Sequence, residues 1–133
     1  MATRLLVSAL ISMAAFASSA HADLAMRTVV LDQTIAHLPT AETNELRVLT
    51  ATLNPGDKTP AHTHRYPATA YVVEGTFTLE VKGKPPLTVE AGHAFVEAAG
   101  EEATGYNRSA DKVAKVVIFY VSAADTPFID PVK

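Results

Sequence analysis

The chain contains no cysteine among its 133 residues. That excludes a disulfide framework, thiolate metal ligands and cysteine nucleophiles, so the fold has to hold by burial and sheet hydrogen bonding. Positive charge is also scarce: 11 lysines and arginines face 14 acids, for a net charge of −3. Nucleic acid is therefore not an expected partner. There is no glycine-rich phosphate loop, no serine in a nucleophile-elbow pattern and no metalloprotease helix motif. No segment after the first two dozen residues carries a long helical period.

The one extended apolar run, Leu5 to Phe16, follows Arg4 and precedes Ala20-His21-Ala22. A positive start, an apolar centre and small residues before a cleavage point form the pattern of a secretory signal, here residues 1–22 with cleavage before Asp23. The run is shorter than the about 20 residues a membrane span needs, and no cysteine follows it for a lipid anchor. The expectation is a periplasmic or secreted protein with no membrane anchor. Losing Arg4 with the signal moves the formal charge to about −4. Residues 23–133 then suit one domain that buries on the order of 60–70% of its chain surface on folding.

Within that span, short runs of β-formers alternate with turn signals, as in an all-β sandwich or barrel. The clearest is Thr76 to Lys82, in which Phe77, Leu79 and Val81 face one way and Thr76, Thr78, Glu80 and Lys82 the other. Further strands are expected at Met26 to Leu31, Glu45 to Leu53, Ala70 to Glu74, Leu87 to Glu90, Ala94 to Glu97, Thr104 to Asn107 and Val113 to Val121. The last of these is apolar enough to lie at a sheet centre with much of both faces covered. Asn54-Pro55-Gly56-Asp57, Glu74-Gly75, Gly83, Ala91-Gly92 and Ser109-Ala110-Asp111 punctuate the strands. Thr34 to Asn44 reads as an irregular connection, and Asp125 to Lys133 as a segment crossing a sheet edge or reaching a neighbouring subunit.

His62 and His64 are the strongest site candidates. Side chains at i and i+2 of an extended segment share a face, so both imidazoles can reach one metal ion or one substrate. Two imidazoles alone are an incomplete shell for zinc or iron, and Glu97, Glu101 or Glu102 reaching inward would produce a set of two histidines and a carboxylate. Glu97 is the carboxylate of interest, because it ends the apolar segment Ala94-Phe95-Val96 and needs a partner if buried. Glu101 and Glu102 read as an exposed turn and, as neighbours on an extended backbone, as a poor acid/base pair. Tyr66, Tyr71 and Tyr106 combine flat apolar rings with polar tips and could line a pocket for an organic ligand. His37 and His93 read as structural, and Asn107 as a turn or backbone cap.

The segment Gly56-Asp57-Lys58-Thr59-Pro60-Ala61-His62-Thr63-His64, closed by Gly75, resembles the first motif of the cupin superfamily, G-x5-H-x-H-x3,4-E-x6-G. Gly100 and Asn107 are weaker counterparts in the second motif, G-x5-P-x-G-x2-H-x3-N. The resemblance covers roughly Glu45 to Val121 and implies a small antiparallel jelly-roll barrel in one copy, all-β, that often pairs into a homodimer. In metal-bearing cupins the motif glutamate and a third histidine complete the shell. Here Ala68, or Thr69 with the longer spacing, stands at the glutamate position, Ala103 at the histidine position and Ala98 at the motif proline. The resemblance implies a divalent metal or a small organic ligand at His62 and His64, with dioxygenase, isomerase or decarboxylase chemistry if there is turnover; with Glu97 from the reading above, the expected metal set is His62, His64 and Glu97, holding Zn, Cu, Ni or Fe. A metal-free ligand-binding or sensor barrel, with the imidazoles as hydrogen-bonding groups, and a dimeric interaction module are the alternatives.

Overall fold

The computed structural model describes residues 25–133, so the expected signal at 1–22 and its cleavage point lie outside the described residues. Nine strands follow in order: β1 (Glu45–Leu53), β2 (His62–Thr63), β3 (Ala68–Glu74), β4 (Thr76–Val81), β5 (Leu87–Glu90), β6 (Ala94–Glu97), β7 (Ala103–Tyr106), β8 (Ala114–Ser122) and β9 (Asp130–Pro131). They form two antiparallel sheets, one ordered β1-β8-β3-β6 and the other β5-β4-β7-β2-β9. Among the described residues there is no helix long and apolar enough to cross a membrane.

Alternation decides which side chains enter the core. Along β8, Ala114, Val116, Tyr120 and Ser122 are buried while Phe119 and Val121 are exposed on the other face. Leu53, Ala70, Val72, Phe95, Ala114 and Val116 from the first sheet meet Phe77, Leu79, Val89 and Ala103 from the second in one cluster. The Phe77 and Phe95 rings stack between the sheets, 14° apart in plane and 5.4 Å between centroids. Such offset pairs add to their area burial. The expected register of Phe77 and Leu79 is therefore the one that forms. Residues 113–121 do run at a sheet centre, between β1 and β3. Their outer face, however, is not covered to the extent expected.

Gly75, between β3 and β4, has φ +70° and lies against the neighbouring chain so closely that a Cβ would sit 2.2 Å from the Val113 carbonyl oxygen. Glycine there is required both by backbone angle and by space. Near the same end of β4, Asn107 is fully buried and caps backbone: its Nδ2 donates to the Leu53 and Lys112 carbonyls, and its Oδ1 accepts from Ser109 N.

The expected strand over Met26 to Leu31 does not form. Val30 and Leu31 instead share an apolar groove on the outer face of the first sheet with Tyr71, Val73, Val117 and Phe119. A segment lying on a sheet face contacts side chains and has no ladder partner, so β propensity alone does not make it a strand. The C-terminal segment does meet a sheet edge, where β9 pairs with β2 through His62↔Pro131 and Thr63↔Asp130.

Candidate functional site

Residues 56–59 are laced to β7 before the histidines arrive: Gly56 N donates to Asn107 O, Thr59 N to Gly105 O, and Gly105 N to the Thr59 hydroxyl. That pairing delivers His62 and His64 to the interior, where both are buried, with Thr63 between them turned away. Glu97 arrives from the facing sheet at the end of β6, and its partner across the ladder is Ala68. The alanine at the glutamate position of the motif thus lies directly beside a glutamate supplied by the next strand. Ala103, at the third-histidine position, is the ladder partner of His62 and brings no ligand atom.

His64 Nε2 lies 3.2 Å from Glu97 Oε2 and His62 Nε2 lies 3.5 Å from the same oxygen. All three ligating atoms fall within 4.8 Å of one another. His62 Nδ1 is 2.7 Å from the Pro60 carbonyl oxygen and His64 Nδ1 is 2.7 Å from that of Phe128. A carbonyl oxygen can only accept, so each Nδ1 carries the hydrogen and each Nε2 of a neutral imidazole presents a lone pair to the carboxylate. With both imidazoles neutral, three acceptors converge with no donor among them, an arrangement that a cation satisfies. A proton does so by forming imidazolium, and a metal ion does so directly. Donor atoms about 2.0–2.2 Å from a tetrahedral ion lie about 3.3–3.6 Å from each other; the two imidazole–carboxylate separations, 3.2 and 3.5 Å, are close to that, while the triad as a whole spreads to within 4.8 Å. Pinning a ligand histidine through its other nitrogen is the usual outer-shell device of metal sites.

The charges respond accordingly. Burial by itself pushes the Glu97 carboxyl up, but hydrogen bonds from His62 and His64 outweigh it and hold the group at about 2, below its ordinary 4.5. The hydrogen bond to Glu97 raises His62 above its ordinary 6.5, against the opposing effect of burial.

The C-terminal segment completes this side of the site. Phe128 packs its ring 4.8 Å from that of His64 and 5.4 Å from that of Tyr120, whose own ring is 5.8 Å from His64. Arg65 clamps Asp130 through two hydrogen bonds of 2.8 and 3.0 Å, and Arg47 donates to the Thr126 carbonyl at 2.6 Å. Tyr120 and Phe128 did not stand out in the sequence. The spacing Val116, Ile118, Tyr120 was a usable signal for the first, whereas no local signal marks the Phe128 carbonyl.

A cavity of about 150 Å³ adjoins the triad, walled by Phe77, Phe95, Val116, Ile118, Phe128 and Ile129 among others. None of the three tyrosines expected to line a ligand pocket lines this one. Tyr71 faces the outer groove, Tyr106 lies under the Arg108 guanidinium at 4.8 Å, and Tyr66 occupies the bend between His64 and β3. Each sits where alternation directs its side chain away from the sheet interface or where the chain turns. His37 and His93 are exposed and distant in role from the pair. Glu101 and Glu102 pair with Lys84 and Lys82 at the surface.

Two facing antiparallel sheets with a histidine pair and a carboxylate at one end define a double-stranded β-helix protein with a candidate metal site. The Cupin_2 family, the cupin domain, matches residues 49–120, more than half of the chain, and the chain belongs to that family. Among curated proteins none matches the sequence significantly. Of solved structures, a conserved protein with a double-stranded β-helix domain from Klebsiella pneumoniae superposes with TM-score 0.55 at 17% identity, covering 73% of this chain and 92% of that one. The DMSP lyase DddQ from Ruegeria pomeroyi gives TM-score 0.55 at 17% identity over 62% of this chain and 41% of the lyase. Oxalate oxidase in complex with the substrate analogue glycolate gives 0.55 at 21% identity over 65% and 46%. The chain thus spans less than half the length of these two enzymes, and the likeness is one of fold.

Proposed function

We propose that this chain is an exported single-domain cupin that holds one divalent transition metal on His62, His64 and Glu97 and binds a small organic molecule in the adjoining cavity. The observation that carries the reading is the convergence of two Nδ1-pinned imidazoles and one carboxylate oxygen, with no donor among them. Two histidines and a carboxylate suit non-haem iron and also zinc, copper or nickel, with copper favoured in open competition. Three protein ligands leave coordination positions open, and an ion there acts as a Lewis acid toward an oxygen of a bound molecule. Dioxygenase, isomerase or decarboxylase chemistry is the family's contribution to this reading.

Elemental analysis of the mature protein from its native compartment, purified without tag or chelator, tests the reading beside a His62→Ala/His64→Ala variant shown to be folded by circular dichroism. Near-stoichiometric metal that the variant lacks supports it. Absence from both, persisting after dialysis against zinc, copper, nickel and iron, removes it.

A second reading is a metal-free binding domain in which a proton takes the place of the ion. It is favoured by the raised His62 and the depressed Glu97, which suit an imidazolium–carboxylate pair. Ligand binding retained after complete chelation distinguishes it.

Export rests on the pattern of residues 1–22, and a mature terminus at Asp23 in a periplasmic or culture fraction checks it by mass spectrometry. Pairing into a homodimer is supported by the outer face of β1 and β8, where Leu46, Val48, Phe119 and Val121 are 64%, 57%, 45% and 38% exposed. The register sets Leu46 opposite Val121 and Val48 opposite Phe119, so the four form one uncharged strip.

A further inference from the structure

We propose that the cavity beside His62, His64 and Glu97 takes a single-ring aromatic molecule with one anionic oxygen head group, of the benzoate or phenolate kind, and rejects sugars and aliphatic dicarboxylates. The inference deepens the function proposed above and rests on it for the metal ion.

Size sets the first limit. A cavity of about 150 Å³ lined by leucine, isoleucine and phenylalanine side chains admits one benzene ring. The cavity here has the same volume and similar walls.

Wall chemistry sets the second. The polar lining side chains are those of the triad and Thr59, and the remaining lining is Ala51, Pro60, Ala70, Gly105 and the aromatic and branched residues named above. A sugar would bring several hydroxyls against walls that cannot pair them, each losing its hydrogen bonds to water without replacement. A flat ring loses nothing there, and the stacked Phe77 and Phe95 rings offer it an aromatic wall.

Charge sets the third. No lysine or arginine lines the cavity, and its ionisable groups are His62, His64 and Glu97 alone. A divalent ion and the Glu97 carboxylate leave one positive charge, which one monoanionic head group neutralises. The second carboxylate of a dicarboxylate would find neither cation nor donor in the apolar walls.

Gly105 preserves this space. A Cβ at that position would lie 2.3 Å from Phe77 Cζ, so only glycine lets the Phe77 ring lie back against β7. Any side chain there would force the ring out of its place between β7 and Phe95.

Isothermal titration calorimetry on the zinc-loaded protein tests the inference, with benzoate, phenol, adipate and glucuronate as probes. The expected result is one-to-one binding of benzoate or phenol, with adipate and glucuronate at least about tenfold weaker. Ala51→Leu, which adds volume to the cavity wall, should weaken the ring probes by roughly 10-fold or more with zinc content unchanged. Ile118→Phe is the second filling variant should Ala51→Leu fail to fold by circular dichroism. Zinc bound without saturable ring binding, adipate binding more tightly than benzoate, or filling variants that bind like the parent would each overturn the proposal. If the parent takes up no metal, the metal reading fails by itself. The same titration on the metal-free protein then decides the ligand class: ring binding lost on filling supports it, and no ring binding overturns it.

Discussion

Ala68 and Glu97 face each other across the β3–β6 ladder, and the carboxylate missing from the first is present on the second. Opposed residues in an antiparallel pair have Cα atoms about 4.5–5.5 Å apart, a gap a glutamate side chain spans. The carboxylate can therefore change strands while the ligand atom stays at the same end of the cavity. Glu97→Gln should lower zinc affinity more than the about 10–100-fold typical of losing an outer-shell partner, and Ala68→Glu added to Glu97→Ala should restore much of it. Competition with a chromogenic chelator measures both; a Glu97→Gln protein with parental affinity would remove Glu97 from the shell.

Acid and base should act on this site from opposite sides. Glu97, held at about 2 in the fold against an ordinary 4.5, contributes stability that is present above 4.5 and lost as the pH falls toward about 2. His62, raised above 6.5, contributes stability that is complete below 6.5 and lost as the pH climbs through its elevated value. The metal-free protein should melt highest between these limits. A metal ion needs unprotonated Nε2, so the increase in melting temperature on adding zinc should grow as the pH rises beyond 6.5. Differential scanning fluorimetry across that range reads the trend, and a zinc increment independent of pH would contradict it.

Phe77 joins the sheets through its stack with Phe95 and fills the space over Gly105. Phe77→Ala should cost about 3–5 kcal/mol in urea denaturation. His62→Ala, at the cavity edge, should leave a cooperative fold. A parental midpoint for the phenylalanine variant would show that its face of β4 is not core.

The uncharged strip of Leu46, Val48, Phe119 and Val121 lies at the paired ends of two nine-residue strands and runs about 7 Å along each at roughly 3.4 Å per residue. Sedimentation at micromolar concentration should show a dimer, and Val48→Lys with Phe119→Lys should yield a monomer with little change in melting temperature. A parent that sediments as a monomer would leave this strip without the proposed partner.

What the sequence determined by itself was local. Period-two alternation and glycine or proline turns located seven of the strands to within a few residues, because side-chain direction along a strand depends only on its own backbone. The i, i+2 spacing of His62 and His64 put both on one face for the same reason, and burial followed from the motif around them. Met26 to Leu31 had strand composition too, but a strand requires an edge to pair with, and the chain lays Val30 and Leu31 on a sheet face instead. Tertiary structure alone decided that Glu97 lies opposite Ala68 and that the Phe128 carbonyl fixes the His64 tautomer. It also brought the Tyr120 ring to 5.8 Å from that of His64. These are contacts between residues 29 and more positions apart, set by ladder register and by how the two sheets face each other. No local pattern encodes them.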